Sequence, residues 1–166
     1  MARDDSLAGI GAEGPVLLEV FVLCVRTGTI ELTGPCGPAP WYIEKAADEH
    51  PVDVVYRLAA NAMGEPDLVH STSWRQADEG VVLSFFVVVE PALAEILESR
   101  PVIRDELARS GATAAPAVIA SGQVLEHAIR HLAWLALDDE IVHARLSEEW
   151  LTALAAYRPE PFRNLG

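Results

Sequence analysis

The sequence predicts a single α+β domain with a mixed or mainly antiparallel sheet packed against helices. Three observations lead there. Residues 68–76 and 81–89 are two arms rich in β-branched and aromatic residues, joined through Ala77-Asp78-Glu79-Gly80, as in a hairpin. Residues 16–26, VLLEVFVLCVR, are a third such run. Residues 51–62 and 123–137 instead repeat apolar positions at three- and four-residue intervals, the mark of helices with one buried face.

Taken in order, residues 1–14 mix small and acidic residues with glycines and are expected to form a mobile leader. The domain itself is expected over 15–158. The strand over 16–26 turns at Thr27-Gly28 into a shorter one over Thr29 to Thr33, and the two should pair. GPCGPAP, residues 34–40, is a loop, because its prolines forbid helix and interrupt a ladder. Trp41 to Glu49 carries no decisive pattern. Pro51 opens a helix that runs through Val52, Val55, Leu58, Ala59 and Ala62 until Gly64 and Pro66 stop it.

In the hairpin that follows, the second arm is almost continuously apolar, which suits a strand covered on both faces. Strict alternation along the first arm puts His70, Thr72, Trp74 and Gln76 on one face and Ser71, Ser73 and Arg75 on the other. Pro91 then starts a helix with Leu93, Ile96 and Leu97 facing one way, and Pro101 separates it from a short helix around Val102 to Ala108. Residues 112–121 read as loop. The helix over Gln123 to Leu137 is the clearest, with Leu125, Ala128, Ile129, Leu132, Leu135 and Ala136 on one stripe. Asp138 is the expected cap of a short helix through Ile141, Val142 and Leu146, and Ser147 caps a last helix ending near Tyr157. Residues 159–166 form a proline-stiffened arm, with Phe162 the expected anchor onto its own domain or a neighbouring subunit.

Composition narrows the functions open to such a domain. With 166 residues, the chain suits one core. A net charge of −13, from 25 acidic against 12 basic residues, repels phosphate backbones and anionic headgroups, so neither nucleic acid nor membrane is an expected partner. Arg26, Arg57 and Arg75 can still focus a small anion locally. Two cysteines are too few for a disulfide framework, and with no long apolar stretch for a signal or a bilayer span the expected location is cytoplasmic. Four tryptophans in a small acidic domain suit a homodimer.

From Ile43 to Glu65 the chain resembles the Nudix signature. Glu49, Arg57 and Gly64 fall at the motif's spacings, whereas Ile43 stands at its leading glycine and Glu65 at its final aliphatic position. Leu58, Asn61 and Ala62 occupy positions of the carboxylates that hold divalent metals in that family. A hard cation needs such oxygen ligands. The resemblance therefore implies a Nudix-like scaffold without Nudix chemistry: a non-hydrolytic small-molecule-binding or regulatory domain with no cofactor.

Two constellations can carry chemistry. His70, Thr72 and Trp74, with Arg57 and Arg75 as cations, form the expected ligand-binding set, since an imidazole beside an indole recognises a ring or a sugar; the competing reading is a half-buried strand whose Trp covers a helix. His127 and His131, four apart on one helix, can share a divalent transition metal with Asp138 or Asp139, or with His143. That set would make a metal-dependent hydrolase. Against it stands the reading that both imidazoles edge a core-facing helix beside Trp134. Nucleophilic catalysis has little support: Ser71, Ser73 and Ser84 lie inside strands, and no Gly-x-Ser-x-Gly or phosphate loop occurs. A structural or partner-binding module resting on Trp74, Trp134 and Phe162 is the remaining alternative.

Overall fold

Strand β1, Val16–Arg26, is the spine of the sheet because its side chains are apolar on both faces. Leu18, Val20, Val22 and Cys24 point to one side and Phe21, Leu23 and Val25 to the other, all nearly inaccessible to solvent. The computed structural model describes residues 15–46, 48–102 and 121–160. The expected leader, nearly all of the helix around 102–108, the loop over 112–120 and Phe162 lie outside the described residues.

One edge of β1 is shared by two strands. β2, Thr29–Thr33, pairs antiparallel with its C-terminal half, and β3, Trp41–Lys45, pairs antiparallel with its N-terminal half. The β1–β2 turn places Thr27 at φ 49° and Gly28 at φ 77°, which matches the twist of the flanking strands. The other edge of β1 takes β5, Gly80–Val88, in parallel, and β4, Leu68–Ala77, pairs antiparallel with β5. A two-residue strand β6, Arg100–Pro101, completes the order β4-β5-β1-β2-β6 with β3 off that path. The sheet is therefore mixed. Gly80 is required at the start of β5: a Cβ there would stand 2.1 Å from the Pro15 carbonyl oxygen.

Helices cover the two faces. α1, Pro51–Met63, lays Val54, Val55, Ala59 and Met63 on the side of Val20 and Val22. α3, Ser121–Asp138, with α4, Glu140–Arg145, and α5, Glu148–Leu154, covers the side of Phe21 and Leu23. Ser147 caps α5 by accepting from the Trp150 amide. The cap of α4 is Asp139 rather than Asp138, accepting from the Ile141 and Val142 amides; of two adjacent aspartates, it is the one whose carboxylate reaches them. α2, Pro91–Ala94, is a single turn, shorter than its pattern predicts. Leu93 and Leu97 pack on the α1 side, but Ile96 is exposed.

The alternation expected along β4 is corrected by a bulge. Its register with β5 shifts between Ser71 and Ser73, where Thr72 is the extra residue. Before it, His70 opposes Phe86 on the α3 side; after it, Trp74 opposes Leu83 on the α1 side and Arg75 opposes Val82 on the α3 side. One inserted residue exchanges the faces of everything beyond it. His70 and Trp74 therefore look in opposite directions.

Candidate functional site

On the α3 side, the bulge delivers Arg75 to Glu19. The Glu19 carboxylate is fully buried in β1 and accepts from Arg75 through both guanidinium terminal nitrogens, at 2.7 and 3.1 Å. Ser84 donates to it at 2.9 Å and Tyr42 at 3.0 Å. Four polar contacts offset the desolvation of one carboxylate. Thr72 is itself buried and donates to the Ser84 carbonyl at 3.3 Å, which ties the bulge to the strand carrying Ser84.

Next to this network lie the imidazoles. His70 stacks on Phe86 at 5.7 Å between ring centroids and meets the edge of His131 at 5.3 Å. His131 lies 6.4 Å from His127 and stacks on Trp134 at 5.7 Å. Both α3 histidines are buried, so they pack as aromatic core groups. Burial, with help from His70 and His127 and against a hydrogen bond to the Glu160 backbone, lowers the His131 pKa to about 4; charging a ring here means desolvating it. The backbone N–H of Glu160 donates to the Arg130 carbonyl at 3.1 Å, and the Glu160 carboxylate lies 3.4 Å from the Arg130 guanidinium. Arg130 also pairs with Glu126 at 3.1 Å.

Asp138 and Asp139 do not join these histidines. From His127 to Asp138 is about 16 Å along the helix axis, and Asp139 is engaged in capping α4. His143 bonds the Ala136 carbonyl through Nδ1 at 2.8 Å. Among the described residues, no group of three His, Cys, Asp or Glu side chains is arranged to hold a metal ion.

On the α1 side, Trp74 borders a cavity of about 200 Å³ that is partly open to solvent. His50, Pro51 and Val52, at the start of α1, form one wall, and Ser71, Ser73 and Trp74 of β4 with Leu83 and Phe85 of β5 form the rest. Pro51 begins the helix there because its missing N–H is not needed in the first turn. Trp74 remains 36% exposed, enough to offer a ring face to a ligand.

Of the expected ligand-binding set, Trp74 alone lines this cavity. His70 belongs to the imidazole cluster, Thr72 to the bulge and Arg75 to Glu19. Arg57, exposed on α1, pairs with Glu49 at 2.8 Å. The sequence reading missed Glu19, His50 and Phe85. Glu19 did carry a signal, since a lone carboxylate inside VLLEVFVLCV must find partners if the strand is buried. His50 carried none. No protein-family model and no curated protein matches the chain.

Proposed function

We propose that the chain is a non-hydrolytic small-molecule-binding or regulatory domain on a Nudix-like scaffold, and that its ligand seats a planar ring against Trp74. The observation that carries this reading is the cavity between the start of α1 and the β4–β5 hairpin. Its volume of about 200 Å³ lies below the roughly 300–1,000 Å³ of pockets that enclose drug-sized ligands. It suits one ring rather than a whole nucleotide. The mostly apolar lining, with His50 the one imidazole in it, favours a weakly polar aromatic group over a polyanion, as does the net charge of −13.

The Nudix-like part rests on the segment from Ile43 to Glu65. Glu49 and Arg57, two residues that match the signature, form an ion pair, and the helix stops at Gly64 with φ 90°. Leu58 is half-buried against the core, while Asn61 and Ala62 are exposed. These three side chains bring no carboxylate to the helix, so hydrolysis through a metal is not part of the reading. A cytoplasmic location goes with it, since Cys24 and Cys36 are free thiols and reducing compartments keep them so.

Titration of the full chain with benzamide, a weakly polar ring that does not emit where tryptophan does, followed by tryptophan fluorescence, should give a saturable change that Trp74→Leu abolishes. A response that never saturates, or one unaltered in the variant, would overturn the site. Turnover of a nucleoside diphosphate with Mg²⁺ or Mn²⁺ that Asn61→Ala abolishes would overturn the non-hydrolytic claim.

A further inference from the structure

The opposite side of β4 supports an inference independent of the Trp74 cavity. The end of the described chain, Arg158 to Glu160, is held onto α3 at one place. The Glu160 main chain bonds the Arg130 carbonyl and the His131 ring. Its carboxylate faces Arg130 at 3.4 Å and His127 Nδ1 at 3.9 Å. His131 in turn contacts His70 across the seam between α3 and β4. The same ring thus touches the strand and the C-terminal segment.

We propose that the His70–His127–His131 cluster is an acid-sensitive seam, in which charging the buried His131 ring loosens α3 from β4 and releases the 158–160 segment.

β4 contributes His70 to this seam; α3 contributes His127, His131 and the Glu126–Arg130 pair; the C-terminal segment contributes Glu160. Imidazolium rings with centroids 5.3 or 6.4 Å apart repel, and His127 and His131 are buried where a charge is poorly solvated. The lowered pKa of His131 has the corresponding sign: with about 4 in the folded chain against about 6.5 when unfolded, its contribution to stability is complete above pH ~6.5. That contribution is lost progressively as the pH falls towards 4.

Hydrogen exchange on the full chain at pH 7.5 and pH 5, corrected for intrinsic rates, tests the seam. Amides over 126–136 and that of Glu160 should lose protection by about tenfold or more at pH 5, while those of α1 and β3 keep theirs. His131→Phe retains a ring against Trp134 and cannot titrate; in this variant the loss should vanish. Where that variant does not fold, His127→Gln serves, and the loss should shrink. Unchanged protection in the wild type, or an equal acid-dependent loss in the variant, would overturn the proposal.

Discussion

The two sides of strand β4 use neighbouring residues for opposite ends. On the α3 side, the half-buried Arg75 and His70 are engaged by the buried Glu19 and His131. On the α1 side, Trp74 keeps an exposed face beside a cavity. Trp74 and Arg75 are adjacent in sequence, yet one is left available and the other is fully engaged. The difference shows that availability here is set by register: the extra residue at Thr72 decides which side chain meets the buried carboxylate.

Exchanging the two neighbouring side chains, as Trp74→Arg with Arg75→Trp, is the strongest way to break this arrangement. The exchange turns the cation away from Glu19 and drives an indole towards it. The expected destabilisation exceeds about 5 kcal/mol, because a buried carboxylate loses its cation while an indole is forced against it. Denaturant unfolding measures it, and a loss below about 1 kcal/mol would mean that the two faces do not differ in this way.

Arg75→Ala removes only the cation and should cost about 3 to 5 kcal/mol, the usual consequence of stranding a buried charge. The double variant Glu19→Met with Arg75→Met should recover most of that loss, since apolar groups of similar size can replace a buried pair. Equal losses in the single and double variants would show that the pair itself, rather than the orphaned carboxylate, carries the energy.

Trp74→Ala should have the smallest effect, about 1 kcal/mol. A fully buried aromatic would cost roughly 3 to 5 kcal/mol on the same change. A loss of that size would turn Trp74 from a ligand-facing group into a core one, and the contrast between the two sides would close.

Local chemistry made much of the fold readable. The Val16–Arg26 strand, the hairpin, the Pro51 start of α1, the long helix and the Ser147 cap follow from signals within a few residues of each element. Pairing between distant segments was less accessible. Nothing in Val16–Arg26 or Gly80–Val88 announces that they run parallel, and Thr72 has no compositional mark of a bulge, being as good a strand residue as its neighbours. The candidate site suffered most from this. Alternation grouped His70 with Trp74 and missed Glu19 as the partner of Arg75, because one unseen residue changes every face beyond it. His50 became visible only once α1 had been folded onto the hairpin.

The most direct measurement is a map of amide chemical shifts on adding indole to the isotopically labelled full chain. Changes should be confined to His50–Val52, Ser71–Trp74 and Leu83–Phe85, and should saturate. Saturating changes centred instead on His70, His127 and His131, or no saturating change anywhere, would contradict the assignment of the Trp74 cavity as the ligand site.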